Sequence, residues 1–456
     1  MRPDRAHALA DAAAPGVLWL DTPDRPAVRP PVGEASVDLL VVGGGFTGLW
    51  AALRAKERDP SRSVLLVERD RTAEHATGRN GGFCEASLTH GEANGLDRWP
   101  EEYAELERLG RENLDQIEAT VLRYGIDCDL RRTGQLTVAT RSHEVEELEP
   151  SAEGFLDRDA VRALVDSPTY LAGRLDADGC AMVDPARLAW GLADAAESLG
   201  VRIAEQTVVT GLRRRGDVVE VATSHGVVRA GQVVLATNVF TSLLRTARRR
   251  VVPVYDHVLA TEPLTADQLA SVGWSERFGI ADAGNLFHYY RLTADDRILW
   301  GGYDAVYHFG RSIDPAHEQR PQTHRVLAEH FYETFPQLSD VAFSHRWGGV
   351  IDTCSRFCAF FGLARGGRVA YATGFTGLGV GASRFAADVM LDLLSGEPTE
   401  RTRLTMVRER PLPFPPEPIT WTGIQLTRWA SARADATGRR NLWLRTLDRL
   451  GLGFDS

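Results

Sequence analysis

Three glycines early in the chain, Gly43, Gly45 and Gly48, have G-x-G-x-x-G spacing after the apolar run Leu39-Leu40-Val41-Val42. Gly43 allows a tight turn, Gly45 lets backbone approach a pyrophosphate, and Gly48 lets the next helix pack closely on the strand. A second cluster, Gly374-Phe375-Thr376-Gly377-Leu378-Gly379-Val380-Gly381, stands near the other end of the chain. One such turn implies only a dinucleotide, and the first segment alone suits NAD as well as FAD. Two turns so far apart imply one extended cofactor held at both ends, which points to FAD.

These turns need particular elements around them. Residues 38–42 have the length of a buried strand. A helix from about Thr47 to Arg58 aims its first N–H groups at the phosphates. The run Ser63-Val64-Leu65-Leu66-Val67 ends at Glu68, and an acid there accepts hydrogen bonds from an adenosine ribose. From Pro100 to Tyr124, Tyr103, Leu106, Gly110, Leu114, Ile117, Val121 and Tyr124 recur at helical spacing. Asp184-Pro185 predicts an N-cap and first helical residue for a helix to about Leu199. Strands are predicted at 201–209, 217–222 and 226–237, the last resembling a returning strand of a nucleotide-binding sheet. Residues 250–350 predict further strands, with a hairpin from Asn285 to Tyr303 turned at Thr293-Ala294-Asp295-Asp296. Residues 368–395 repeat strand, glycine turn and helix, the helix opening near Val380.

The predicted fold class is α/β (α+β overall): a Rossmann-type FAD-binding domain interleaved with a β-sheet-rich substrate domain, plus a C-terminal helical tail. The FAD-binding domain takes residues 37–95, 175–245 and 340–400, and the substrate domain takes 96–174 and 246–339. Residues 1–36 form an N-terminal extension over the surface. Residues 401–456 form a Pro-rich linker and basic tail, with helices from Ile424 to Ala436 and Asn441 to Leu450. The tail holds ten arginines against five acids, and Trp421, Trp429 and Trp443. Docking on an acidic partner or membrane surface is one reading. Packing against the acidic body of the same chain or a dimer mate is the preferred one.

Composition narrows the class. At 456 residues, two domains are expected, and 43% hydrophobic with 25% charged residues is globular. No apolar stretch reaches the ~18 residues that span a bilayer. Arg2 and Arg5 precede a polar segment with no apolar core, so no secretory signal is expected. Cys84, Cys128, Cys180, Cys354 and Cys358 make an odd count with no C-x-x-C pair. This disfavours disulfides and structural zinc and favours a cytoplasmic location. A net charge of −10 disfavours nucleic acid.

Thr77-Gly78-Arg79-Asn80-Gly81-Gly82-Phe83 resembles the (A/S)-S-G-R-N-G-G signature of D-amino acid oxidase-like FAD oxidoreductases. Arg346-Trp347-Gly348-Gly349-Val350-Ile351-Asp352 resembles the W-G-G-x-I-D segment of the gamma-glutamylputrescine oxidase-like branch, and Gly374-Phe375-Thr376-Gly377-Leu378-Gly379 its G-[YF]-x-G-x-G turn. The resemblance spans about residues 18–400. It implies non-covalent FAD, with Arg79, Asn80, Gly81 and Gly82 beside the isoalloxazine. Gly377, Leu378 and Gly379 are then expected at the flavin N1–C2=O edge, where a helix N-terminus stabilises the charge of reduced flavin. The full set of expected cofactor contacts is Gly43, Gly45, Phe46, Thr47, Gly48, Glu68, Arg69, Thr77, Gly78, Arg79, Asn80, Gly81, Gly82, Val208, Thr237, Gly348, Gly374, Gly377, Leu378 and Gly379. No metal is expected.

The implied reaction oxidises a primary or secondary amine by hydride transfer to flavin N5, giving an imine that hydrolyses to a carbonyl product, with O2 reoxidising the flavin to form H2O2. An FAD dehydrogenase of an N-substituted amino acid using another acceptor is the alternative, and a non-catalytic flavoprotein subunit is a third reading. A homodimer is left open. Only the neutral amine loses hydride, and deprotonating an alkyl ammonium of pKa ~10.4 at pH 7 costs about 4–5 kcal/mol. An apolar site or a base must lower that cost. Candidates are Tyr255, His257, His288, Tyr289, Tyr290, Trp300, Tyr303 and His308; Tyr289, Trp300, His288 and Tyr255 are assigned the catalytic roles. Tyr289 and Tyr290 point to opposite faces of a strand, so at most one lines the site. In the resemblance, the arginine that grips α-amino acid carboxylates falls on Ile351, although Arg291, Arg346 or Arg356 could substitute. The lysine that activates oxygen falls on Trp300, and the cysteine that binds flavin covalently falls near Gly348 or Gly349. Cys354 and Cys358 are read as buried, inert thiols.

Overall fold

Apolar runs buried on both faces build a parallel sheet. The computed structural model describes residues 1–148 and 151–453; residues 149–150 of the expected segment 96–174 and 454–456 of the expected tail lie outside them. In the order Arg202–Ala204, Val64–Val67, Ala35–Val42, Gly226–Leu235 and Val369–Thr373, neighbouring strands run parallel. Leu39 and Val41 face one side, and Leu40 and Val42 the other. On the first side lie the helices Phe46–Arg58, Pro185–Ser198 and Gly379–Ser395. Asp388 ties two of them together through Arg54 (3.1 Å) and Arg58 (2.6 Å). Burial pushes its carboxyl up, but Arg54, Arg384 and Arg58 together hold it below the usual range. The strand predicted at 201–209 ends at Ala204, and Val209–Arg215 begins an antiparallel meander.

The second sheet is antiparallel for most of its width. Its order is Ala14–Pro15, Phe343–Thr353, Val252–Thr261, Ile298–Gly302, His288–Leu292, Gly279–Asp282, Gln135–Ala139, Ala172–Asp176 and Phe155–Leu156. The hairpin His288–Leu292 with Ile298–Gly302 matches the predicted turn. Helix Pro321–Thr334 covers the back of this sheet, and helix Pro3–Ala12 packs on it. The front of the sheet faces the parallel sheet, where Val258, Leu299 and Trp347 share a core with Trp50 and Phe375.

Two expectations need correction. Residues 1–36 do more than lie over the surface. Ala6 and Ala10 are buried, Ala14 pairs with His345, and Trp19 Nε1 donates to Asn80 O at 2.9 Å. The segment 340–400 is divided, because Phe343–Thr353 pairs along Val252–Thr261 in the second sheet. Its alternation buries Trp347 against the parallel-sheet side, so the strand serves the boundary of the two halves.

Gly48 shows how tightly the first turn is built. A Cβ there would sit 1.9 Å from Gly43 O. Gly48→Ala is expected to lower stability by about 1–3 kcal/mol or prevent folding, as overpacking does. Gly211→Ala, where a Cβ meets nothing within 4 Å, is the control. Urea unfolding followed by circular dichroism checks the pair.

Candidate active site

Both glycine turns open on one cavity of ≈ 1860 Å³. That exceeds the ~300–1,000 Å³ of a site for one small ligand, leaving room for an extended dinucleotide and a second molecule. At one end, Gly43 holds φ 114°, and a Cβ would meet Ala236 O at 2.4 Å. The Glu68 carboxylate accepts from Gly44 N at 2.6 Å and Asp70 N at 3.0 Å, and burial pushes its pKa up. The Arg69 guanidinium lies 4.1 Å from the Phe240 ring centre. Glu68, Asp70 and His75 bring three ligand atoms within 4.8 Å of one another, but Glu68 is engaged by backbone N–H groups and Asp70 by Arg69 and His75.

The middle of the cavity is set by the loop after the second strand. Asn80 Nδ2 donates to Ala76 O (3.0 Å) and Thr77 O (2.7 Å), while Gly82 N donates to Asn80 Oδ1 (2.9 Å). Arg79 pairs with Glu318, and Trp347 Nε1 donates to Arg79 O at 2.9 Å. Asp352 holds the second glycine turn from beneath. Its carboxylate accepts from Gly374 N (2.6 Å), Phe375 N (3.1 Å) and Thr373 Oγ1 (3.0 Å), and burial pushes it up to about 6. His90 lines the same wall, and burial lowers it to about 4, so the ring is neutral.

Of the expected cofactor contacts, Gly43, Gly45, Phe46, Thr47, Glu68, Arg69, Thr77, Arg79, Asn80, Gly81, Val208, Thr237, Gly377, Leu378 and Gly379 line the cavity. Gly48, Gly78, Gly82, Gly348 and Gly374 do not. Each instead packs against a neighbour: a Cβ on Gly78 would meet Ala73 O at 2.2 Å, on Gly82 Val183 O at 2.1 Å, on Gly348 Glu318 O at 3.0 Å, and on Gly374 Phe360 at 2.9 Å. These glycines shape the turns from behind the cavity wall. Cys354 Sγ donates to Cys358 O at 3.1 Å, and burial pushes both thiols up, Cys358 to about 12.

The hairpin register sorts the catalytic candidates. Tyr289 pairs with Gly301 and Tyr290 with Trp300, so the two pairs face opposite sides. Tyr289 faces the cavity. Its ring lies between Gly81 and Gly301, where a Cβ on either would meet it at 2.6 Å. Its hydroxyl donates to Asp256, which also accepts from His257 N at 2.9 Å. Burial pushes Asp256 up to about 6. Tyr255 also lines the cavity, with its hydroxyl accepting from Asp314 N at 3.1 Å.

Trp300 and His288 require correction. Trp300 is 1% exposed behind the sheet, packed on Tyr290, Phe331 and Phe335. His288 is turned away too, its ring between Asp282 (2.5 Å) and His330 (3.0 Å). The three arginines offered as substitutes for Ile351 are engaged outside the cavity: Arg291 with Val183 O, Arg356 with Met406 O and Arg346 with Ala10 O. Ile351 itself faces the cavity.

The tail packs on its own chain and closes the cavity. Helix Ile419–Thr437 is pinned by Asp435, which accepts from Asn285 N (2.9 Å) and Leu286 N (2.9 Å), and by the Arg428–Asp304 pair. Thr420, Ile424, Thr427 and Arg428 line the wall. Among the described residues, no helix is long and apolar enough to cross a membrane.

Asp256, Asp352 and His90 were not singled out from sequence as site residues. Asp352 did have a signal, as the last residue of the Trp347-Gly348-Gly349-Val350-Ile351-Asp352 segment. Asp256 had a weaker one, an acid between Tyr255 and His257 in an otherwise apolar run.

Comparison with known proteins shows the family and the fold. The family described as FAD dependent oxidoreductase matches residues 38–393. The gamma-glutamylputrescine oxidoreductase of Escherichia coli K12 is 32% identical over 378 residues, covering 79% of this chain and 84% of that protein. A probable oxidoreductase, OrdL, of Haemophilus influenzae is 28% identical, covering 83% and 88%. The glycine oxidase of Geobacillus kaustophilus shares the fold, with a TM-score of 0.67 at 19% identity, covering 82% of this chain and 100% of that one.

Asp352→Ala strands two buried N–H groups at about 1–3 kcal/mol each. It is expected to lower the unfolding midpoint and the flavin retained through gel filtration, with Asp352→Asn falling between it and wild type. Removing residues 417–456 is expected to raise quenching of flavin fluorescence by iodide, because the cavity loses its outer wall.

Proposed function

The chain belongs to the FAD dependent oxidoreductase family, and on that footing we propose that it oxidises a primary or secondary amine at the carbon beside nitrogen, giving an imine that water hydrolyses to a carbonyl product. Glycine cradles at both ends of the cavity, each closed to a Cβ or shaped by positive φ, fit an extended dinucleotide. Gly43, Gly45, Glu68, Val208 and Thr237 would hold the adenosine diphosphate portion, and Arg79–Gly81 with Gly377–Gly379 the ring. Bound there, FAD supplies a two-electron acceptor for the hydride that leaves the substrate.

One observation carries the amine reading: the Tyr289–Asp256 pair facing the cavity beside Gly81, with Ile351 where an α-carboxylate would need an arginine. A cationic amine at Tyr289 Oη meets a carboxylate one hydrogen bond away. Tyr289 takes the ammonium proton as its own passes to Asp256, so the nitrogen regains its lone pair. Burial lowers an ammonium pKa and raises that of a carboxyl, which brings the two groups closer. Tyr255 and Tyr303 also line the cavity, and aromatic faces suit a cation before it loses its proton.

The Escherichia coli relative is named for gamma-glutamylputrescine, and amines with such an amino-acid head are the substrate class we favour. O2 is the proposed acceptor. A dehydrogenase using another acceptor is the second reading, favoured by one feature: the residue facing Gly81 across the Tyr289 ring is Gly301, which offers no cation.

Asp256 is ionised above about pH 6 and protonated below it. The rate of anaerobic flavin bleaching by amines is therefore expected to fall as pH drops through 6. Asp256→Asn should remove this limb and slow bleaching by roughly 10²-fold or more, the usual range for a lost base. Tyr289→Phe should slow it as well. Wild-type rates and an intact limb in both variants would sink the assignment. Admitting air to the bleached enzyme then separates oxidase from dehydrogenase.

A further inference from the structure

At the far side of the cavity stands a set of polar side chains that the reaction does not use. The front of the second sheet carries Arg174, Thr137, Ala281 and Tyr289 in one cross-strand row, by the pairings Arg174–Thr137, Thr137–Ala281 and Ala281–Tyr289. Gln135 and Asp176 pair in the next row. Arg174, Thr137, Gln135 and Asp176 all line the cavity. Three strand spacings of ~4.8 Å put Arg174 about 14 Å from Tyr289. That is the reach of about four extended residues at ~3.5 Å each.

Glu85 completes the set from the opposite side. It ends the strand Phe83–Glu85, which leaves the loop beside Tyr289 and pairs Glu85 with Cys180. Ala86 N donates to Gly179 O at 2.8 Å, and Gly179 N donates to Asp176 Oδ1 at 3.0 Å, so Glu85 and Asp176 approach one another. Among the described residues, neither the Arg174 side chain nor the Glu85 side chain makes an ion pair or hydrogen bond. Gln135 Oε1 is a buried acceptor without a donor. A cation and a carboxylate, each lacking a side-chain partner, thus line one cavity, with the Gln135 side chain beside them.

We propose that this space is a distal pocket for the α-amino-acid head group of the substrate, with Arg174 binding the carboxylate and Glu85 binding the ammonium. The pocket rests on the amine-oxidation reading and deepens it. It measures the distance from the head group to the reacting amine, and it explains how an amino-acid substrate can be held although Ile351 stands near the reaction centre. Guanidinium to carboxylate is the stronger contact, since both groups are charged and the geometry allows two hydrogen bonds.

The test uses the full-length holoenzyme and two ligands. γ-Glutamylputrescine and putrescine share the oxidisable amine, and only the first has the head group. Arg174→Gln is expected to weaken the apparent affinity for γ-glutamylputrescine at least tenfold, with the saturating bleaching rate within twofold of wild type and no change toward putrescine. Calorimetric titration with γ-glutamylbutylamide, which has the head but no oxidisable amine, reads the pocket without turnover. Binding by wild type, weakened in Arg174→Gln and Glu85→Gln, supports the pocket. Equal binding by all three overturns it, as does equal wild-type affinity for putrescine and γ-glutamylputrescine. Bleaching by no amine, with γ-glutamylbutylamide still bound, would instead overturn the amine-oxidation reading and leave the pocket standing.

Discussion

The strand Phe343–Thr353 is the constraint on which the site depends. At one point its Trp347 ring N–H holds the carbonyl of Arg79, and five residues on, its Asp352 carboxylate holds the N–H groups of Gly374 and Phe375. The strand therefore clamps the early loop and the late turn in register, although these are far apart in the chain. It is itself held between Val252–Thr261 and the short N-terminal strand. A rigid sheet thereby sets the geometry of two loops that would otherwise be free to move.

Two carboxylates show how a similar shift in acidity serves different ends. Asp352 and Asp256 are both pushed up to about 6. Asp352 spends its oxygens on two backbone N–H groups and the Thr373 hydroxyl, donors that keep their protons near neutral pH. Asp256 faces the phenol of Tyr289, whose proton can move. What separates the clamp from the pair proposed to move a proton is the donor, not the acid.

Local features were legible in the sequence, and face assignments were not. The turn at Gly43, the Asp184 cap and the hairpin turn at Thr293 each follow from a few adjacent residues. Trp300 and His288 were placed wrongly because alternation says that neighbours face opposite sides without saying which side is the cavity. The register decided it: Gly301, with no side chain, leaves room for the Tyr289 ring, and Trp300 falls behind. Arg174 and Glu85 carried no local signal, because only the pairing of strands distant in sequence brings them to one cavity. The tail was read as packing on the body, but its role as a cavity wall depends on Asp435 reaching Asn285, which no periodicity reveals.

The parallel sheet begins with residues 35–42 and is completed by residues 369–373, while the outer wall of the cavity comes from helix Ile419–Thr437. A nascent chain on the ribosome therefore holds its first glycine turn long before the clamp that orients it has been synthesised. Contacts of such sequence separation form slowly and leave apolar strands unpaired in the interval. Cofactor capture thus waits for residues 369–373, and a chain cut before Ile419 lacks the helix that forms the outer wall of the flavin site.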